Sequence, residues 1–191
     1  VQDDPKRVKA MTRRSIKVST YLISPMMLGI AAVAPQLVTI LLTEKWLPCV
    51  PFMMVFCVTY VFYPIHTANL NAIKAMGRSD FLKLEILKKM VGLVLVVITM
   101  WYGPLVMAYS LLVSSVLSQL INSWPNKKLL GYSYREQLKD MLPNVGLALI
   151  MAVFVWLLGI FLPIKGILGL SIQIISGVLV SWGISVLSKN D

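Results

Sequence analysis

MVGLVLVVITMWYGPLVMAYSLLVSSVLSQLINSWPN, residues 90–126, is a run of 37 residues without Asp, Glu, Lys or Arg. A helix rises about 1.5 Å per residue, so crossing a hydrocarbon core of about 30 Å takes roughly 20 apolar residues. The run is too long for one crossing and close to two. Tyr102-Gly103-Pro104 interrupts it where a tight turn fits. The run therefore predicts two membrane helices joined by that turn, the first starting inside the charged segment from Lys83 to Lys89.

Four further uncharged runs, 18–43, 46–73, 141–164 and 166–188, are 26, 28, 24 and 23 residues long, each the length of one crossing. The predicted fold is all-α, a polytopic membrane protein. Its six transmembrane helices fall at about 18–43, 47–73, 84–102, 104–124, 141–163 and 166–188, in a single transmembrane domain over 1–191. The five runs hold 138 of the 191 residues, and the 53 outside them are too few for a folded extramembrane domain. Composition agrees: 58% apolar and 14% charged, against about 45–50% and about 25% in soluble domains. Intrinsic disorder is excluded by the same hydrophobicity, and a disulfide scaffold by the presence of only two cysteines. Buried helices of a soluble protein keep a polar stripe, and these runs are expected to show almost none.

Lysine and arginine near span ends stay on the cytoplasmic side. With six helices, sixteen of the eighteen basic residues fall on one side and only Lys45 and Lys165 on the other, so both ends of the chain are expected to be cytoplasmic. The net charge of +10 raises nucleic-acid binding as a reading. The basic residues flank apolar spans, however, and membrane lipids are the expected partner rather than nucleic acid. Asp4-Pro5 is a cap and first-turn pair, and Val8, Met11 and Ile16 suit an interfacial lead-in to the first span. Trp46, Trp101, Tyr102, Trp124, Tyr132 and Tyr134 are expected in the headgroup zone. Gly77-Arg78-Ser79-Asp80 reads as a turn, with Ser79 or Asp80 capping the next helix.

Catalytic constellations are nearly missing. His66 is the one histidine, and no acid–base pair can be assembled at membrane depth. Cys49 and Cys57, eight apart with no ligand cluster around them, read as packing residues rather than a metal site. No metal, no cofactor and no enzyme activity are expected. The second span holds Pro64, His66, Asn69 and Asn71, followed by Lys74. His66 and Asn69 are three apart and share a helix face. They either line a cavity beside a proline break or hydrogen-bond to neighbouring helices near the interface. Gln36 with Pro25 and Pro35, and Gln119 with Asn122, are weaker versions of the same signal. Gly169, Ser176, Gly177, Ser181 and Gly183 suit close helix packing. The opening Val1-Gln2-Asp3-Asp4-Pro5 lacks an initiator methionine, and the chain is expected to be the C-terminal part of a longer protein.

Four stretches carry a family resemblance: residues 1–9 (VQDDPKRVK), 25–35 (PMMLGIAAVAP), 41–50 (LLTEKWLPCV) and 74–80 (KAMGRSD). They resemble the C-terminal part of bacterial polysaccharide flippases, and more closely the WzxC-type lipopolysaccharide exporters of the MOP superfamily. The resemblance is strongest from residue 1 to about 90. It implies a MOP/MATE-like transporter of two helical bundles in the bacterial cytoplasmic (inner) membrane. Such a protein moves undecaprenyl-diphosphate-linked oligosaccharide units across the bilayer, and the N-terminal bundle of the same protein would be this segment's partner. Arg13, Arg14 and Lys74 become candidates for attracting the diphosphate, and with His66 and Asn69 make up the candidate substrate pathway. Two alternatives remain. A cation-coupled multidrug antiporter of the same superfamily usually needs an intramembrane carboxylate, which the uncharged runs lack. A membrane-embedded polymerase or acyltransferase would need acidic, Arg or His residues on long outer loops, and the outer loops here are short.

Overall fold

The computed structural model describes residues 4–77, 81–162, 164 and 166–187. Among these residues the chain is all-α, with no strand. The first helix, α1, runs Pro5–Ala32. The Asp4 carboxylate accepts the Arg7 amide at 3.1 Å, capping this helix. The expected lead-in and first span are thus one continuous helix up to Ala32. The next helix, α2, is Ala34–Leu42, with Pro35 in its first turn. Proline has no amide to donate and its ring crowds the carbonyl four residues back, so the ladder restarts at Val33.

A 3-10 segment, Glu44–Cys49, leads into α3, Val50–Val61. Pro64 then opens α4, Tyr63–Ala75, after a break in the helix at Phe62. The predicted second span is therefore two helices. The expected turn after Gly77 falls on Arg78, Ser79 and Asp80, outside the described residues. Beyond it α5, Phe81–Thr99, and a 3-10 turn, Met100–Tyr102, end at Gly103. Gly103 has φ +101°, a backbone that side chains other than hydrogen resist. Pro104 then starts α6, Pro104–Leu130. The 37-residue run is a helical hairpin broken where the sequence predicts. The last helices are α7, Tyr134–Phe161, and α8, Ile167–Leu187.

Four helices, α1, α6, α7 and α8, are long and apolar enough to cross a membrane, and the interrupted α3–α4 pair makes five if it counts as one span. By length and composition, four or five of the expected six spans are thus found among the described residues. The shortfall is α5: Lys83, Glu85, Lys88 and Lys89 occupy its first half. The ten uncharged residues left reach only about 15 Å. Large apolar side chains cover the exterior, with Trp101, Phe161 and Leu168 exposed by 82%, 78% and 70%. Water would not tolerate such a surface over most of a molecule, whereas for a helix in hydrocarbon it is ordinary.

The chain divides into two compact units. The first comprises Val1–Thr20 and Phe62–Leu142. In it α5 and α6 form the hairpin, joined by Thr99 Oγ1 donating to Ser110 Oγ at 3.2 Å, and α4 packs against both. The second comprises Tyr21–Val61 and Pro143–Asp191. Its core holds the clusters Val33, Met151, Val155, Leu170 and Ala34, Val38, Val50. There α8 lies close to α7: a Cβ on Gly177 would come within 2.9 Å of Val155 Cγ2. Gly183, expected in the same role, has nothing within 4 Å.

Candidate functional site

The first unit is held together by polar side chains that water does not reach. On α6, Gln119, Asn122, Ser123 and Asn126 follow one another at intervals of three, one and three. That spacing places all four on one face, and all four are buried. The almost stripe-free helix expected from the sequence is corrected here: α6 has a polar seam, made of amides and a hydroxyl rather than charges.

Asn69 of α4, fully buried, is the hub of this seam. Its Nδ2 donates to Ser123 Oγ at 3.0 Å and to Gln137 Oε1 of α7 at 2.7 Å. Its Oδ1 and its main-chain carbonyl accept from Asn126 Nδ2 at 2.7 and 3.1 Å. Ser123 Oγ also donates to Gln137 Oε1 at 3.1 Å. One turn earlier on α4, His66 Nδ1 lies 3.0 Å from Asn122 Nδ2, and its ring stacks on Tyr63. The Asn122 and Asn126 side-chain carbonyls are buried and have no protein partner. On the other flank of the seam, Tyr134 donates to Gln119 Oε1 at 3.2 Å.

The seam continues into a charged cluster where α7 begins. Ser133 and Glu136 cap α7 reciprocally: Ser133 Oγ accepts the Glu136 amide at 3.3 Å and Glu136 Oε2 the Ser133 amide at 3.0 Å. One turn on, the Asp140 carboxylate is buried and accepts from Arg13 Nη2 at 2.7 Å and from the Tyr132 hydroxyl at 2.9 Å. Lys17 Nζ lies 3.9 Å from the same carboxylate. Lys9 donates to the Gly131 carbonyl at 2.7 Å and sits over the Tyr132 ring. Gly131, at φ +58°, supplies the left-handed residue that ends α6 and folds Tyr132 back into the core. Burial, and next the bond to Asp140, push the Tyr132 phenol well above the ordinary tyrosine pKa. At neutral pH the phenol is therefore a neutral hydrogen-bond donor to Asp140. The expectation that Tyr132 belongs to the headgroup zone is corrected: it is 1% exposed. Trp101, Tyr102 and Trp124 are exposed near helix ends.

A defined similarity covers the N-terminal part of the chain, ahead of the seam on α4, α6 and α7. The profile of a family described as polysaccharide biosynthesis protein matches residues 1–51. No curated protein and no solved structure matches the chain. The matched residues make up α1, α2, the 3-10 segment and the start of α3, so they include one helix able to span a membrane. The chain thus combines apolar helices long enough to span a membrane with a similarity, over about a quarter of its length, to a polysaccharide biosynthesis family. Three of the four stretches that carry the family resemblance lie inside the match, and residues 74–80 lie outside it.

Of the expected pathway residues, Arg13 and Arg14 fall inside the matched segment, and His66, Asn69 and Lys74 beyond it. The structure gathers His66 and Asn69 into the seam. It commits Arg13 to Asp140, although the Arg13 side chain stays 55% exposed. Arg14 and Lys74 are exposed. The sequence reading missed Ser123, Asn126, Gln137, Tyr132 and Asp140. The polar heptad spacing of α6 signals the first two, and the local Ser133-x-x-Glu136 pattern marks the turn that positions the others. Chemically the seam offers hydrogen-bond donors and acceptors of no net charge. Among the described residues no group of three His, Cys, Asp or Glu is arranged to hold a metal ion.

Proposed function

We infer that the chain is part of a flippase that moves lipid-linked oligosaccharide units across the cytoplasmic membrane, in the manner of the WzxC-type exporters it resembles. The observation that carries this reading is the polysaccharide-biosynthesis match lying directly on an apolar spanning helix. The substrate would be an oligosaccharide on an undecaprenyl-diphosphate-type carrier, destined for lipopolysaccharide or another surface polysaccharide. The chemistry of the first unit supports this. Sugar hydroxyls exchange hydrogen bonds with amides, and the Asn122 and Asn126 side-chain carbonyls, which have no protein partner, are acceptors of that kind without the cost of a charge at membrane depth. The exposed Arg14 and Lys74 are suited to draw a diphosphate toward the helix ends. In this reading α5 completes six crossings with its charged first turns in the headgroup layer, and both ends of the segment face the cytoplasm. A preceding bundle of the same protein supplies the other half of the pathway. The protein makes and breaks no covalent bond and needs no cofactor.

Deleting the gene tests the reading. Surface polysaccharide is expected to disappear while lipid-linked units accumulate in the cytoplasmic leaflet, and the full-length protein restores export. Normal surface polymer in a strain without a second exporter contradicts the proposal. Unchanged polymer together with new drug sensitivity favours an antiporter instead.

A further inference from the structure

We propose that the cleft between α4, α5 and α6 in the first unit is a binding site for an anionic glycerophospholipid, with its phosphodiester held by Lys83 and Lys128. The cavity has a volume of about 300 Å³. Its walls include Ile73 of α4, Leu84 of α5 and Leu129 of α6, and its cations are Lys83 in the first turn of α5 and Lys128 in the last turn of α6. Lys128 Nζ stands 4.9 Å from the centroid of the Trp124 ring, which also lines the cavity and is 65% exposed. Among the described residues no carboxylate lines the cleft, and the nearby Glu85 is ion-paired to Lys88. Two ammonium groups above an apolar floor complement a molecule with a phosphate head and acyl tails. An exposed indole at a helix end is the residue type that settles at the headgroup level, which puts the lysines where lipid phosphates lie. Basic clefts between helices on the cytoplasmic side recognise anionic head groups in this way. The proposal is independent of the flippase reading, since an ordinary membrane phospholipid satisfies it.

The test uses the full-length protein in phosphatidylcholine nanodiscs, titrated with dibrominated phosphatidylglycerol or dibrominated phosphatidylcholine. The share of fluorescence due to Trp124 is obtained by difference from Trp124→Phe. Quenching of Trp124 by the anionic lipid is expected at about a tenfold lower mole fraction than by the zwitterionic one. The preference should be lost in the Lys83→Gln/Lys128→Gln double variant and kept in Lys127→Gln/Lys139→Gln, which removes the same two charges outside the cleft. Wild-type protein at about 1 M salt, where the Debye length is about 3 Å, should lose the preference without any substitution. Equal quenching by the two lipids, or a preference that survives the double substitution, overturns the proposal. Displacement by millimolar inorganic phosphate also overturns it, because the ligand would then be soluble phosphate rather than a lipid. No oligosaccharide is present, so failure here leaves the flippase reading untouched.

Discussion

Asp140 is a carboxylate taken out of water near the start of α7, and two side chains donate hydrogen bonds to it: Arg13 and Tyr132. Removing one partner of a buried charge costs more than an average hydrogen bond. Tyr132→Phe is therefore expected to lower unfolding stability in detergent by about 1.5–3 kcal/mol, and an unchanged midpoint would show that Asp140 does not depend on the phenol. The pH dependence has a definite sign. The folded-state pKa of Tyr132 is raised, so its contribution is whole below the unfolded tyrosine value near 10 and is lost as pH rises beyond it. Alkaline unfolding should steepen above about pH 10 in the wild type, and less so in Tyr132→Phe. A second residue-scale prediction concerns Thr43, at φ +77° between α2 and the 3-10 segment. Thr43→Gly should relieve about 1 kcal/mol of backbone strain and raise the thermal midpoint. A fall would mean that the Thr43 side chain contributes more than its strain costs.

At the scale of elements, the seam and the small-residue contact make separable predictions. Asn69→Leu leaves Gln137, Ser123 and Asn126 short of partners and should cost about 1–3 kcal/mol, read by denaturant unfolding; a neutral result would mean the seam is not satisfied through Asn69. Gly177→Leu drives a side chain into Val155 and Met151 and should cost about 1–3 kcal/mol, while Gly183→Leu, with open space around it, should cost much less. How far these elements were legible follows from the kind of signal each one leaves. Lack of charge is a property of the chain itself, so the apolar runs locate the helices, and Tyr102-Gly103-Pro104 locates the hairpin turn. The effect of proline depends on its surroundings. Pro25, Pro125 and Pro143 lie inside intact helices, whereas Pro35 and Pro64 open new ones. His66 and Asn69 were visible as polar residues in an apolar run. Their partners on α6 and α7 lie more than fifty positions away, and sequence spacing within α4 says nothing about them.

For the whole molecule, the distribution of lysine and arginine carries the prediction about orientation. With Cys49 and Cys57 replaced, single cysteines at positions 45, 128 and 165 should divide two to one. Positions 45 and 165 are expected to react with an impermeant thiol reagent from outside the cell, and position 128 to be protected. The reverse pattern would invert the topology and move the cleft of Lys83 and Lys128 to the outer leaflet. The proposed function asks more than orientation, because a flippase must carry its substrate from one leaflet to the other. The most direct test is transbilayer movement in proteoliposomes that contain the full-length protein and a lipid-linked oligosaccharide, scored by an impermeant reagent that oxidises sugars on the outer leaflet. The account predicts that the protein raises the accessible fraction well above the half set by random insertion when the reagent acts over time, and that Asn69→Leu slows this rise. An accessible fraction that stays at one half, with and without the protein, would contradict it.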